Sequence, residues 1–252
     1  LMGFAAESID ILDRYRALAD KLDQLAGHFA LGHAPSGAAD PYGLRRAAVG
    51  VVRILTEQAW HVGLREVFAL AANMFISGLQ VTGEAQGFAR AFIRGRVATI
   101  LEEQGFAHDE IAAALVDFDD VVLAAGRIRA LAVLKAEPGW RETMLALSRV
   151  TNILPKGFAG GEVAGESLEG PERVLFDAHA AVRLEAEQLR DRGEFEALYR
   201  LLATLKPPID RFFDAVLVMD KDESVRNRRL ALLHRVAGTI RLFADVKALA
   251  LG

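Results

Sequence analysis

Apolar residues recur every three or four positions along most of the chain, as they do on the buried side of amphipathic α-helices. The first such segment, residues 4–27, has its apolar positions at Ile9, Leu12, Tyr15, Leu18, Leu22 and Leu25. Strict alternation of apolar and polar residues, which is typical of half-buried strands, is almost absent. The pattern therefore predicts an all-α fold of about nine or ten helices in two packed helical bundles.

Glycine and proline residues divide this pattern into segments. A loop from Gly32 to Pro41 follows the first helix. The later helices are predicted to begin at Asp40-Pro41 and to cover residues 63–77, 84–104, 106–115, 117–136, 139–153, 171–192, 194–206 and 223–250. Pro207-Pro208 is expected to end the helix over 194–206. Residues 156–170 contain five glycines and are predicted to form a surface loop. We expect one helical domain over residues 1–104 and a second over 105–252.

The composition is that of a folded chain. Hydrophobic residues make up 52% and charged residues 25% of the 252 residues, which is enough for a packed core. The formal net charge of −4 argues against a protein that coats nucleic acid without specificity, although a local arginine cluster can still bind RNA. The absence of cysteine excludes disulfides, thiolate zinc sites and cysteine nucleophiles. It also fits a reducing cytoplasm, where we expect the protein to be.

No segment has the pattern of a membrane or targeting sequence. No apolar run reaches about 18 residues without a charge, so we expect no membrane span. The N-terminus lacks the basic region and apolar stretch of a signal peptide. Leu1 is not an initiator methionine, which indicates a fragment or a trimmed chain.

Two groups of residues resemble parts of a metal site. Asp20 and Asp23 lie three residues apart on one helix face, and His108-Asp109 is a doublet of the kind that supplies two ligands in metal phosphohydrolases. A metal site needs further ligands, and the remaining histidines are scattered. Asp109 also suits the first turn of a helix, where it accepts free N–H groups. We therefore predict that no metal occupies these residues.

Polar donors are concentrated at the end of one predicted helix, over residues 148–156. Arg149, Asn152 and Lys156 combine cations with an amide, and these groups suit phosphate and base-edge contacts on single-stranded RNA. Phe158 would add a surface on which a base could stack. An ordinary helix C-terminus, where cations are favoured in any case, explains the same residues equally well.

Arg226, Arg228 and Arg229 begin the last long helix, where cations oppose the helix dipole. That cost favours a binding role or an ion pair. The carboxylates that could neutralise these arginines are Asp220, Asp222 and Glu223. Arg127 and Arg129 lie on an otherwise apolar helix, and they too could have either a binding role or an ion-pair partner.

Four blocks of sequence, in order, resemble motifs of the β subunit of bacterial glycyl-tRNA synthetases. They are LADKLDQL at residues 18–25, ADPYGLRRAAVGVVRIL at 39–55, RVTNIL at 149–154, and the segment 210–233, whose two amphipathic helices meet across an acidic turn. The first resembles a motif near the end of that family's HD-like helical region, and the second its most recognisable motif. The third closes a helix of its anticodon-binding domain, and the fourth is its closing motif.

The resemblance implies a heteromeric class II synthetase in which the α subunit carries the aminoacylation site and the β subunit contributes tRNA recognition. The C-terminal bundle would then be an anticodon-binding helical bundle, similar to that of arginyl-tRNA synthetases. The expected partners are tRNA-Gly and the α subunit, in a hetero-oligomer. We expect no catalytic residue and no cofactor in this chain, since ATP and magnesium belong on the α subunit. Arg228 stands where the family often has asparagine, and residues 1–17 match the family poorly.

The RNA-binding surface is predicted from cations and amides at helix ends and on the helix over 117–136. The predicted residues are Arg127, Arg129, Arg149, Asn152, Lys156, Arg226, Arg228 and Arg229. Two alternatives stay open, an HD-type metal-dependent phosphohydrolase fragment and a helical scaffold or dimerisation module without an RNA role.

Overall fold

The computed structural model describes residues 2–35, 40–74, 80–165 and 168–251. For residues 2–9 and 74 it describes the backbone alone. Over these ranges the regular structure is helical and no strand occurs, so the predicted all-α fold is confirmed. Eleven helices are present: α1 (Met2–Ala30), α2 (Leu44–Gln58), α3 (Leu64–Met74), α4 (Gly83–Glu103), α5 (His108–Ala114), α6 (Val121–Leu134), α7 (Trp140–Asn152), α8 (Gly170–Asp191), α9 (Phe195–Ala203), α10 (Lys206–Ala215) and α11 (Glu223–Arg241).

Contacts within the chain divide it into two compact units. Unit 1 comprises residues 1–105 and 117–125, and unit 2 comprises residues 106–116 and 126–252. Helix α6 therefore begins in unit 1 and continues in unit 2. The two domains expected from the sequence, with a boundary after residue 104, stay a prediction.

Unit 1 is built from α1 to α4. Helix α1 packs against α2, α3 and α4, and α4 also contacts α2 and α3. Its largest fully buried side chains include Leu25, Leu44, Leu55, Leu64, Phe68 and Ile93. The segment 117–125 joins this unit through Asp119, whose carbonyl oxygen accepts a hydrogen bond from the Leu64 backbone N–H at 2.9 Å and whose carboxylate accepts one from the Arg65 backbone N–H at 2.8 Å.

Unit 2 places α8 against α9, α10 and α11, and α7 against α10 and α11. Its fully buried side chains include Leu131, Leu134, Phe195, Phe212 and Phe243. Burial of such side chains stabilises the bundle by about 2 kcal/mol each relative to exposure. The described part of the predicted loop over residues 156–170 contains no α-helix before Gly170, in agreement with its glycine content.

Several helix ends differ from the prediction, including the start of α6, which is at Val121 and not at residue 117. Three further differences have an identifiable cause. Helix α2 begins at Leu44 and not at Asp40-Pro41, because the Asp40 carboxylate accepts hydrogen bonds from the backbone N–H groups of Leu44 (2.8 Å) and Arg45 (3.0 Å). Pro207 and Pro208 do not end α9, which stops at Ala203. They lie in the first turn of α10, where the missing N–H of proline has no intrahelical partner to lose.

The third difference is the end of α11, which is at Arg241 and not at residue 250. The chain then turns, since the Asp245 backbone N–H donates to the carbonyl oxygen of Ala113 at 3.0 Å and the Ala250 N–H donates to the Asp109 carboxylate at 2.9 Å. The C-terminal segment is thereby fastened to α5. The last residues of the predicted helix over 63–77 lie outside the described residues.

Candidate nucleic-acid interface

The arginines at the start of α11 are held by carboxylates and carbonyl groups of unit 2. Arg229 is the most constrained of the three. Its Nε donates to Glu172 Oε1 at 2.7 Å, and its Nη1 donates to Asp220 Oδ2 at 2.8 Å and to the Leu217 carbonyl oxygen at 2.9 Å. Burial opposes the charge of Arg229, but the hydrogen bonds that it donates to Glu172 and Asp220 outweigh this effect and raise the pKa of the guanidinium. Arg228 Nε donates to the other Glu172 oxygen at 3.2 Å.

Glu172 is the partner that the sequence did not reveal. It lies in the first turn of α8, 56 residues before Arg228, and is only 6% exposed. Of the nearby acids that could neutralise the arginines, Asp220 pairs with Arg229. Asp222 instead caps α11, since its Oδ1 accepts hydrogen bonds from the backbone N–H groups of residues 224 (2.8 Å) and 225 (3.2 Å).

Arg226 Nη1 donates to the Asp220 carbonyl oxygen at 3.0 Å, and the Arg226 side chain is half-buried. Arg229 and Arg226 thus both bind the loop between α10 and α11. This geometry gives the arginine cluster a structural role in fixing that loop. The RNA contacts that the sequence suggested for it stay a prediction.

Arg149 is exposed on the side of α7 that faces α10. Its Nη1 lies 3.4 Å from Asp210 Oδ1, and its guanidinium carbon lies 4.6 Å from the centre of the Phe213 ring. Lys206 also binds Asp210, at 2.6 Å. Arg149 is therefore part of an α7–α10 contact on the unit surface, and a cation–π contact of this kind adds about 1 kcal/mol.

Arg127 and Arg129 have opposite environments. Arg127 is 7% exposed, and its guanidinium donates to the carbonyl oxygens of Ala114 (2.8 Å), Val116 (3.0 Å) and Leu242 (3.3 Å). It also lies 5.1 Å from the centre of a phenylalanine ring on α9. These contacts satisfy carbonyl groups at two chain turns, so Arg127 has a structural role in the core of unit 2. Arg129 is exposed.

The polar residues at the end of α7 lie beside an open groove. Asn152 and Lys156 are exposed. The Phe158 ring meets the His234 ring edge-on, with centroids 5.8 Å apart. The loop backbone passes close to the same imidazole, since a Cβ on Gly160 would lie 2.7 Å from His234 Nδ1. The glycine, which has φ of +82°, allows this approach.

The α7–α11 groove has a volume of about 260 Å³. Its lining is Thr151, Leu154, His234, Ala237, Gly238, Arg241, Ala244, Asp245, Val246 and Lys247. The floor is open at Gly238, where a Cβ would meet nothing within 4 Å. Arg241 lies 4.0 Å from Asp245, and Lys247 is exposed. The groove therefore combines cations, ring edges and hydrogen-bonding groups around a space that could receive a nucleotide base.

Sequence reasoning missed the C-terminal half of this groove. His234, Gly238 and Arg241 are spaced four and three residues apart, which places them on one face of α11. This spacing was a detectable signal in the sequence. Extending α11 to residue 250 hid the turn that brings Lys247 back to the groove.

The residues considered for a metal site do not form one in the part of the chain that the structure describes, where no cluster of three or more potential ligands occurs. Asp20 and Asp23 are exposed on α1. Asp109 lies in the first turn of α5, as predicted. The hydrogen bond from the Ala250 backbone N–H lowers the pKa of Asp109, and further backbone N–H groups and Lys135 act in the same direction.

Comparison with known proteins yields two family models. The model described as "Glycyl-tRNA synthetase beta subunit" matches residues 13–116, and the model described as "DALR anticodon binding domain" matches residues 143–246. The second match contains the whole α7–α11 groove except the residues that follow position 246. No helix among those described has the length and apolar character needed to cross a membrane.

Curated relatives are similar over almost all of the chain. The glycine–tRNA ligase β subunit of Thiobacillus denitrificans is 38% identical over 243 residues, which are 93% of this chain and 34% of that protein. The β subunits of Magnetococcus marinus (37% over 247 residues) and Desulforapulum autotrophicum (34% over 235 residues) are similar over 94% and 91% of this chain. The chain spans about a third of the length of these relatives. Over that length, the chain is similar to the β subunits of glycyl-tRNA synthetases, and its residues 143–246 are similar to an anticodon-binding domain.

Proposed function

We propose that this chain is the tRNA-binding part of a β subunit of glycine–tRNA ligase, and that the α7–α11 groove binds the anticodon loop of tRNA-Gly. The observation that carries this proposal is the position of the groove inside the region similar to an anticodon-binding domain. The partner is an α subunit in a hetero-oligomer in the cytoplasm. That subunit would supply the aminoacylation site with its ATP and magnesium, so this chain contributes recognition and no chemical step.

The groove residues have separate roles in this proposal. Arg241 and Lys247 provide cations for phosphate oxygens, which position the RNA without reading its sequence. The imidazole of His234 offers a ring beside which an unstacked base can lie. Asp245 provides a carboxylate that can accept a hydrogen bond from a base amino group, and a contact of this type discriminates between bases. Asn152 at the end of α7 adds an amide with donors and an acceptor.

The arginine cluster at the start of α11 has a supporting role. Arg228 and Arg229 both pair with Glu172, so their positive charges are at least partly neutralised within unit 2. They hold α11 in place, and the groove begins about one and a half turns further along the same helix. We therefore propose that phosphate contacts come from the C-terminal half of α11 and from the segment that follows it.

The proposal is tested by fluorescence anisotropy with a labelled hairpin that carries the anticodon arm of tRNA-Gly. Lys247→Ala and Arg241→Ala should each weaken binding and reduce the slope of log K against log salt by about 0.7 to 0.9, the loss of one phosphate contact. Arg183→Ala is the matched control, because Arg183 is an exposed arginine of unit 2 that pairs with Glu187 on α8. It should leave both affinity and slope unchanged.

A second arm separates binding from stability. Arg149→Ala and Arg226→Ala together test the surface predicted from the sequence, and we expect a lower melting temperature with a nearly unchanged salt slope. The groove is the wrong site if Lys247→Ala and Arg241→Ala behave like Arg183→Ala in a protein with an unchanged circular dichroism spectrum. Equal affinity for hairpins with glycine anticodons and with unrelated loops would contradict the role in anticodon recognition.

A further inference from the structure

A second group of basic residues lies in unit 1, on the exposed face of α2. Here an open groove of about 330 Å³ is lined by Arg45, Arg46, Val49, Gly50 and Arg53. The Lys21 side chain of α1 passes beside Gly50, since a Cβ on this glycine would lie 2.4 Å from the Lys21 Cε atom and 2.8 Å from its Cδ atom. We call Lys21, Arg46, Gly50 and Arg53 the α2 basic groove. Arg46, Gly50 and Arg53 lie in the block ADPYGLRRAAVGVVRIL, and Lys21 lies in the block LADKLDQL. The anticodon-binding proposal uses neither block.

The cations of this groove are not neutralised by the described part of the chain. Lys21, Arg46 and Arg53 have no carboxylate oxygen within 4.0 Å among the side chains that the structure describes, whereas Arg14 of the same unit pairs with both Asp10 and Glu57. Glu57 is the only acidic residue of α2. Because Glu57 pairs with Arg14, it does not neutralise Arg46 or Arg53, and both of these arginines are exposed. In a protein with a net charge of −4, this local excess indicates an anionic ligand.

The spacing of the cations fits a nucleic-acid strand. Arg46 and Arg53 are seven residues apart, which is two helical turns and about 10 Å along the axis. Gly50 lies between them, and its missing side chain lets the lysine stem cross the helix there. The three cations therefore form a row about 10 Å long. One strand of a nucleic-acid duplex presents about three phosphates over this length.

We infer that the α2 basic groove binds the sugar-phosphate backbone of double-stranded RNA, at a site distinct from the anticodon groove. Arginine presents planar sets of N–H donors that match phosphate oxygens. The lining contains no aromatic ring on which a single-stranded base could stack, which favours a duplex over an unpaired strand. A protein partner would need a buried apolar anchor, and Val49 and Gly50 form a shallow floor without one.

The inference is tested with an RNA duplex of 20 base pairs that has no loop, so that the anticodon groove has no ligand. Arg46→Ala with Arg53→Ala should reduce the salt slope of duplex binding by about 1.8 and the affinity at 50 mM salt by about a hundredfold, since each phosphate contact contributes about tenfold under those conditions. Arg46→Lys with Arg53→Lys keeps both charges and should retain most of the affinity. Arg65→Ala is the matched control, because Arg65 is an exposed arginine of unit 1 outside this groove.

Further measurements distinguish binding of duplex RNA at this groove from binding of other ligands and from binding at the anticodon groove. The single variant Arg53→Ala, with its exposed side chain, should show half of the change in slope and serves if the double variant is unstable. Saturable binding of inorganic phosphate alone, or of an acidic peptide with the affinity of the duplex, would overturn the inference. So would a double variant that binds the duplex like the wild type. Lys247→Ala should leave duplex binding unchanged, so failure of the anticodon proposal does not affect this result.

Discussion

Lowering the pH below 6.5 should destabilise unit 2 through His179. This histidine of α8 is 2% exposed, and its Nε2 lies 2.8 Å from the Thr239 hydroxyl oxygen of α11. Burial, followed by the charges of Arg235 and Arg183, lowers the pKa of His179 from 6.5 to about 4. The unfolded chain binds the proton with the ordinary pKa of about 6.5. Because the folded protein binds the proton less tightly than the unfolded chain, acid favours unfolding.

The magnitude follows from the two pKa values. At pH 7.5 the imidazole is neutral in both states and contributes no pH dependence. As the pH falls, stability is lost between about pH 6.5 and pH 4, and the loss levels off below the folded-state value of about 4. Proton linkage gives a loss of about 2 kcal/mol at pH 5.0 and about 3 kcal/mol in full. A loss of this size is a large part of the stability of an ordinary domain.

The assay is urea unfolding at pH 7.5 and pH 5.0, followed by tryptophan fluorescence. The chain has two tryptophans, and Trp140 of α7 packs against Tyr199 and Phe243 in unit 2. A Trp60→Phe background leaves Trp140 as the only tryptophan. His179→Gln keeps a polar side chain beside Thr239 but does not titrate. The wild-type protein should lose about 2 kcal/mol more than this variant between the two pH values. Equal losses would show that the buried imidazole does not govern the acid response.

Three substitutions test the polar contacts of unit 2 by urea unfolding at pH 7.5. Glu172→Gln should cost about 2 kcal/mol, less than a fully buried pair, because Arg229 keeps Asp220 and Arg228 is a third exposed. A neutral effect would mean that the guanidinium groups are satisfied without Glu172. Arg127→Leu should cost about 3 kcal/mol by leaving buried carbonyl groups without donors, and a loss below about 0.5 kcal/mol, as expected of an exposed arginine, would contradict its structural role. Asp222→Ala should cost about 1 kcal/mol through the lost cap of α11, with reduced protection of the first-turn amides in hydrogen exchange as the specific signature.

The helices were predictable because periodicity is a local signal. The apolar stripes over α1, α4, α7 and α8 are long enough to fix the type of element. In α1, Leu18, Leu22 and Leu25 of the predicted stripe are buried, whereas Leu12 and Tyr15 are exposed. Helix ends depend on single hydrogen bonds and were less predictable. The Asp40 cap moves the start of α2 to Leu44, and Pro207-Pro208 is equally compatible with the end of one helix and the beginning of the next.

The candidate site was less predictable because it depends on tertiary partners. Sequence chemistry identified Arg229 as a residue that needs a partner, but it could not show that Glu172 would be brought to it from the start of α8. In the sequence, Arg127 and Arg129 both look like arginines on an apolar helix. Only the fold shows that Arg127 is buried and binds carbonyl groups, whereas Arg129 is exposed. The groove residue Lys247 was missed because its position depends on the turn after α11.

The arginines at the start of α11 show why a direct contact with RNA and an indirect effect on RNA binding must be measured separately. Positive side chains are disfavoured at a helix N-terminus, whereas a carboxylate is favoured there. Glu172 lies at the N-terminal end of α8, so its charge is favourable for that helix and also neutralises Arg228 and Arg229 of α11. The carboxylate of Glu172 thus acts at the N-terminal ends of both α8 and α11.

Under the proposed function, this arrangement would let the cluster affect RNA binding through the position of α11, without a contact to RNA. The α7–α11 groove is centred near Gly238, about 15 Å along the α11 axis from Arg228. Loss of the Glu172 pairs would release the start of α11 and the loop before it, and the groove would lose affinity together with stability. A phosphate contact behaves differently, because its removal lowers affinity and salt slope at constant stability. Measured together, salt slope and unfolding free energy therefore assign each arginine to one of the two roles.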